Sequence, residues 1–323
     1  MRKDVQGQVS AMKNSNRELF TRHPGNPIIT AKDIPYPANT IFNAAAARLE
    51  GETLLLLRIE DRRGFSHLTA ARSAGGVTDW NIDKKPTLLG DGNKYPEEAW
   101  GIEDARITFI EDLGKWAVAY TAYSDLAPLV SLALTEDFKK FERMGPVLPP
   151  ENKDAALFGA KFDGRYTMLH RPVPAGPGVG AHIWISFSPD LRHWGDHRVL
   201  LRARQGGWWD ANKIGLSTPP LKTDEGWLLL YHGVRETASG CIYRLGLALL
   251  DLDDPTRVVC RSDEWVFGPE TLYERVGDVG NVVFPCGWTL EGDQLRIYYG
   301  GADSCLALAT GSLAEILDWL KNK

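Results

Sequence analysis

Two adjacent acids and an arginine, Glu103-Asp104-Ala105-Arg106, stand with Trp100 at the entrance to an apolar, β-prone run. Residues entering a strand normally alternate apolar and polar, so a carboxylate pair beside a Trp and an Arg reads as held in a pocket rather than solvated. Taken alone, the cluster reads more readily as an exposed turn before an edge strand; its weight comes from recurrence. At comparable places in a repeat that runs five times through the chain stand Asn43, Arg58, Glu103, Asp104, Arg106, Lys161, His170, Arg171, Lys213, His232, Tyr243 and Asp303. Cationic groups outnumber acids in this set although the whole chain is acidic, which points to an anion. Arg offers a planar fork for phosphate or carboxylate oxygens and Lys a compact charge, so Arg171 with Lys213, His232 and Tyr243 can hold a phosphate. His170 or His232 alone would be an ordinary hydrogen-bonded interior histidine. Trp100, Trp208, Trp209 and Phe284 flank the polar clusters. Most aromatics belong to packing, and Trp208-Trp209, in a Gly-rich loop, is the pair most readily assigned to a sugar face.

The elements that must position these groups follow from the repeat. Each unit has a small or apolar strand, a Gly or Asp turn, a strongly apolar strand, and a third strand rich in Ala, Ser and Leu. The second strands align as Thr53-Leu54-Leu55-Leu56-Leu57-Arg58, Trp116-Ala117-Val118-Ala119-Tyr120, Tyr166-Thr167-Met168-Leu169-His170-Arg171, Trp227-Leu228-Leu229-Leu230-Tyr231-His232 and Leu295-Arg296-Ile297-Tyr298-Tyr299. The preceding turns, such as Glu50-Gly51-Glu52 and Asp163-Gly164, are hairpin signals. A unit of roughly 50 to 65 residues with three or four strands matches a propeller blade. The expected fold is therefore all-β, a five-bladed β-propeller whose inner strands line a central channel. A β-sandwich would not explain five copies of one strand order. Helix is expected only at the end, where Ser312 and Glu315 form a capping box ahead of Ile316, Leu317 and Leu320. Residues 1–25 read as a flexible lead-in, with order beginning near Asn26 and a single catalytic domain over 26–323.

The formal net charge of -5 and pI near 5.9 argue against a nucleic-acid surface. Cys241, Cys260, Cys286 and Cys305 have no CxxC spacing, so neither a zinc site nor a disulfide framework is indicated. No signal-like or membrane-spanning apolar run occurs, and a cytoplasmic location is the default expectation.

The motifs resemble glycoside hydrolase family 130, the β-mannoside phosphorylases and related mannosidases, from about residue 20 to the end. The matching pieces are Ile41-Phe42-Asn43-Ala44-Ala45, Glu98 to Thr108, Asn152 to Phe158, His170-Arg171, Lys213-Ile214-Gly215, Gly226 to Val234, Tyr243 to Gly246, Asn281 to Gly287 and Ala302-Asp303. The resemblance implies that Asp104 is the general acid, acting through the 3-hydroxyl of the mannosyl unit. It implies that Arg171, Lys213, His232 and Tyr243 hold phosphate, and that Asn43, Arg58 and Asp303 bind the mannosyl ring. Glu103, Phe284 and Trp209 are further substrate-binding candidates. The sequence departs from the family pattern at Ala105 and Gly280, where proline is usual, at Ser304-Cys305, and at Gly159-Ala160-Lys161. The last two departures are expected to bear on the acceptor subsite.

An inverting glycosidase needs two carboxylates, one to protonate and one to activate water. Phosphate arrives already anionic, so a cationic cradle replaces the second carboxylate. The expected function is therefore phosphorolysis of a β-mannoside, with motif spellings closer to the β-1,2-linked mannobiose and oligomannan enzymes than to those acting on β-1,4 linkages. The alternatives are a β-1,4-mannoside phosphorylase, a β-mannosidase, an arabinanase-like or fructan-active propeller, and a non-catalytic carbohydrate-binding propeller. Expected partners are a small-molecule β-mannoside and phosphate as co-substrate. No cofactor, metal, nucleic acid or membrane is expected, and homo-oligomerisation is left open.

Overall fold

The computed structural model describes residues 18–174, 176 and 180–322. Five antiparallel sheets are arranged as propeller blades, each a meander in which consecutive strands pair. Blade 1 comprises Thr40–Leu49, Glu52–Glu60, Ser66–Ser73 and Asn81–Ile82. Blade 2 comprises Ile102–Ile110, Lys115–Ala122, Leu129–Thr135 and Glu142–Leu148. Blade 3 is Asn152–Leu157, Tyr166–Pro172, Ile183–Ser188 and Gly195–Leu201; blade 4 is Lys213–Leu216, Gly226–Thr237, Gly240–Leu250 and Val258–Arg261, with Leu221–Thr223 as a short addition. Blade 5 takes Val283–Glu291, Gln294–Gly301 and Cys305–Ser312 from the end of the chain and Thr21–Arg22 from its beginning. First strands of blades 1 and 2, 2 and 3, 3 and 4, and 5 and 1 touch one another, which places them innermost.

The uninterrupted Leu run of the second strand has a direct cause in this packing. A blade is covered on both faces by its neighbours, so alternate side chains enter two different apolar layers. Leu54 and Leu56 pack toward blade 2 with Ile102 and Val118, whereas Leu55 and Leu57 pack toward blade 5 with Tyr298 and Leu306. In blade 4, Leu228 and Leu230 join Val283 and Ile297 of blade 5, and Leu229 and Tyr231 join Ile185 of blade 3. The core is a set of layers between blades rather than one central mass.

Ring closure corrects the expected boundary of the lead-in. Thr21–Arg22 pairs with Thr310 and Ala309, and Ile29–Thr30 adds to the same strand. Phe20 is fully buried and meets Phe267 edge-on at 6.2 Å. Arg22 binds the buried Glu274 through Nε at 2.8 Å. Residues 18–25 therefore belong to the propeller, and the rest of the expected lead-in, 1–17, lies outside the described residues. Two-residue strands carry no periodicity, so sequence pattern cannot reveal them. The C-terminal helix Leu313–Lys321 is present, with Ser312 Oγ accepting from the Glu315 backbone N–H and Ile316, Leu317 and Leu320 buried. A one-turn helix at Leu272–Arg275, where the Glu274 carboxylate accepts from the Thr271 backbone N–H, was not expected.

Because Phe20 fills the last interface of the ring, Phe20→Ala is expected to destabilise the protein by about 3–5 kcal/mol. Denaturant unfolding checks this, and an unchanged midpoint would show that the N-terminal segment is dispensable.

Candidate active site

The inner strands are bent where the chemistry collects. In blades 1, 2 and 3 the pairing of the first strand shifts register between Phe42 and Ala45, between Glu103 and Arg106, and between Lys153 and Ala156. At each bulge one residue adopts a positive φ: Asn43 at 47°, Asp104 at 49° and Asp154 at 54°. Asn and Asp tolerate this region better than other side chains, and a bulge re-aims the side chain it carries. Each is followed by a small residue, Ala44, Ala105 or Ala155, buried among the inner strands. Three polar side chains are thereby turned toward the axis at one end of the propeller.

They contribute to a cavity of about 710 Å³. Asn43, Arg58, Glu103, Asp104, Arg171, Lys213, His232, Tyr243, Phe284 and Asp303 all line it, from all five blades. Trp209 does not. It is buried in blade 4, stacked on Tyr231 at 5.7 Å, with Nε1 donating to the Asp263 carbonyl. Gly233 and Gly246 open its slot, since a Cβ at either would come within 2.6 Å of the indole. Trp208 is exposed, and Arg204 lies over its ring on the outside of the blade. Lys161 instead pairs with Asp112 at 2.6 Å, and His170 is an interior histidine hydrogen-bonded to Asn152 and Ser186. Burial lowers the His170 pKa to about 3.

One wall of the cavity is acidic. Asp104 Oδ1 accepts from Asn43 Nδ2 at 3.0 Å and from Arg58 Nη1 at 2.9 Å. Arg58 Nη2 also reaches Glu103 at 3.1 Å, and Glu103 is held from its other side by Lys153 Nζ at 3.3 Å. Burial pushes the Asp104 pKa up, but Arg58, Arg106 and Lys153 with the Asn43 amide outweigh it, so the carboxyl sits below its ordinary value. Asp303 is moved the other way, up to about 7, by burial reinforced by Asp104, Asp278 and Glu60 against the opposing field of Arg58. Asn43 Oδ1 is buried without a hydrogen-bond partner among the described residues. It is an acceptor suited to a ligand hydroxyl.

The other wall is cationic and aromatic. Lys213 Nζ lies 5.4 Å from the centre of the Tyr243 ring, and His232 packs on Phe284 at 4.6 Å. Burial, with Arg171, Arg106 and Lys213, lowers the His232 pKa to about 3 despite the nearby Asp154 carboxylate, leaving a neutral imidazole. Lys153 and Asp154 are lining residues that sequence reasoning missed. The signal was present in Asn43-Ala44, Asp104-Ala105 and Asp154-Ala155, an Asx-Ala pair at the same point of three blades. Among the described residues, no group of three or more His, Cys, Asp or Glu is arranged to hold a metal ion, and no helix is long and apolar enough to cross a membrane.

The chain is similar to known proteins over nearly its whole length. The glycoside hydrolase family 130 model, described as beta-1,4-mannooligosaccharide phosphorylase, matches residues 15–322. A beta-1,2-mannobiose phosphorylase of Listeria innocua is 37% identical over 93% of this chain and 98% of its own. A beta-1,4-mannooligosaccharide phosphorylase of Ruminococcus albus is 35% identical over 95% of this chain and 92% of its own. The solved structure of the beta-1,2-mannobiose phosphorylase from Listeria innocua, in complex with beta-1,2-mannobiose, superposes with a TM-score of 0.84. It is 34% identical and covers 94% of this chain and 99% of its own.

The raised pKa of Asp303 has a thermodynamic consequence with a definite sign. Its folded-state value lies above its ordinary 3.8, so the stability it confers is full below pH 3.8 and is lost as pH rises to about 7. Wild type should therefore lose stability relative to Asp303→Asn between these limits. Melting temperatures of both proteins across that range check this; parallel profiles would show that Asp303 does not hold its proton.

Proposed function

The chain belongs to glycoside hydrolase family 130, and from that premise we propose that it is an inverting phosphorylase of β-mannosides, with β-1,2-linked mannobiose or oligomannan as substrate. The observation that carries this reading is the opposition, across one cavity, of Asp104 to Arg171, Lys213, His232 and Tyr243. The overall likeness to the Listeria β-1,2-mannobiose phosphorylase supports the linkage. The protein works on small molecules, without a cofactor, in the cytoplasm.

In this reading the mannosyl ring lies against Asn43, Arg58, Glu103 and Asp303, with Phe284 packing on an apolar face of the sugar. Asn43 Oδ1 accepts from a hydroxyl, and protonated Asp303 donates to one. A phosphate oxygen attacks the anomeric carbon from the face opposite the β-linked oxygen as the glycosidic bond breaks. The departing oxygen takes its proton from the mannosyl 3-hydroxyl, which Asp104 replenishes. Asp104 must be protonated to do this, yet Arg58 favours its carboxylate in the free protein. An arriving phosphate adds negative charge to the cavity and raises the Asp104 pKa again. Nucleophile binding and proton loading are thereby linked.

Two expectations follow from this division of labour. Asp104→Asn should keep the fold and lower turnover by roughly 10² to 10⁴; near-normal turnover would remove Asp104 from the acid role. Cleavage of β-1,2-mannobiose should depend saturably on phosphate and yield α-mannose 1-phosphate, should run backward from α-mannose 1-phosphate and mannose, and should survive exhaustive chelation. Product analysis with and without phosphate decides, since phosphate-independent release of free mannose would make the protein a hydrolase.

A further inference from the structure

Asp154 lies at the floor of the cavity, and neither proton donation by Asp104 nor direct phosphate contacts explain it. Its side chain is almost wholly buried and joins three nitrogen-bearing groups. Oδ2 accepts from Arg171 Nε at 2.6 Å and stands 3.4 Å from His232 Nε2, while Oδ1 faces Arg106 Nη2 at 3.5 Å. A neighbouring strand is cut back to permit this. A Cβ on Gly215 would come 2.2 Å from Asp154 Oδ2 and 2.6 Å from His232 Cε1.

These contacts constrain the cradle in two ways. A carboxylate only accepts hydrogen bonds, so the imidazole nitrogen facing it must carry the proton. His232 is therefore set with N–H at Nε2. Engaging Arg171 through Nε fixes the plane of the guanidinium and leaves its two terminal NH₂ groups, which have no partner among the described residues, for a ligand. Asp154 itself is held by the positive-φ bulge of blade 3 and by the buried Arg106.

Resting on the phosphorylase reading, we propose that Asp154 is a positioning residue for the nucleophile: it fixes the plane of the Arg171 guanidinium so that its terminal N–H groups face phosphate, and it takes the Nε2–H of His232 so that the imidazole is held in one tautomer beside them. Charge counting makes the opposite forecast. An anion beside the phosphate site repels phosphate, so on electrostatics alone its removal should tighten phosphate binding. Positioning and charge thus predict changes of opposite sign.

The experiment is steady-state kinetics of β-1,2-mannobiose cleavage with inorganic phosphate varied, for wild type, Asp154→Asn and Asp154→Glu. The first variant removes the charge; the second keeps it and displaces the carboxylate by one methylene. Both should raise the phosphate KM by about tenfold or more, in keeping with the loss of an ordered charge-assisted contact, and leave the mannobiose KM within about twofold. The glutamate variant decides the matter should the asparagine variant not fold. A phosphate KM that falls or stays unchanged in the variants, with wild type saturating normally in phosphate, would overturn the role of Asp154 alone. A wild-type enzyme indifferent to phosphate would overturn the phosphorylase reading with it.

Discussion

A single guanidinium, that of Arg106, closes the centre of the propeller. The residue is 1% exposed, and a charge so enclosed is costly unless its donors are satisfied. Nε donates to the Ser217 carbonyl and Nη2 to that of Leu216, each at 2.9 Å, while Nη1 donates to the Asp104 carbonyl at 2.9 Å. Its remaining neighbours are Asp154 in blade 3 and the ring of Phe284 in blade 5. One side chain of blade 2 thus reaches blades 3, 4 and 5 at the axis. It also takes the carbonyls of Leu216 and Ser217 where the first strand of blade 4 ends. The backbone of Asp104 and the floor of the cationic wall are fixed by the same group.

The electrostatics of the cavity depend on that floor. Arg106 lowers the pKa of Asp104 on one side and of His232 on the other. It therefore helps to keep the imidazole neutral, so that the positive charge of the cationic wall comes from Arg171 and Lys213. A neutral imidazole still donates one hydrogen bond, and it does so without adding to a cluster of cations that would resist burial. On the acidic wall, Arg58 divides its two terminal nitrogens between Asp104 and Glu103, and burial raises the Asp303 pKa to about 7. Two carboxylates are thus paired with Arg58, and the third ionises only toward neutral pH.

The blade order was legible because interior layers leave a strong imprint on sequence. A strand covered on both faces must be apolar at every position, and five such strands at regular intervals call for a ring of sheets that cover one another. The ends of those strands were legible for the same reason, since a lone Arg58, Arg171 or His232 interrupts the apolar pattern where the blade meets the cavity. What could not be read depends on contacts between distant segments. The Trp208-Trp209 pair looks like a sugar platform, but the slot that takes Trp209 inward is made by Gly233 and Gly246 on two other strands. The short strand Thr21–Arg22 exists only because the edge of blade 5 needs a partner. Lys161 matched the cationic pattern, yet Asp112 draws it out of the set.

The departures from the family pattern can be placed on the same physical footing. Gly159 and Ala160 line a separate cavity with Thr108, Pro219 and Trp288, and Lys161 is bound to Asp112. Cys305 is buried at the start of its strand beside the Gly301 carbonyl. None of these residues lines the central cavity. Ala105 is a different matter. It is the fully buried residue of the bulge that turns Asp104 toward the axis, so the site it occupies is part of a strand rather than a loop. A proline there would remove one backbone N–H at a point where the ladder is already broken, which is where a strand tolerates the loss. Alanine also occupies the equivalent positions 44 and 155 of blades 1 and 3, and the bulge forms in all three. The aim of the acid is thus set by the bulge and by the hold of Arg106 on the Asp104 carbonyl, and neither device needs proline.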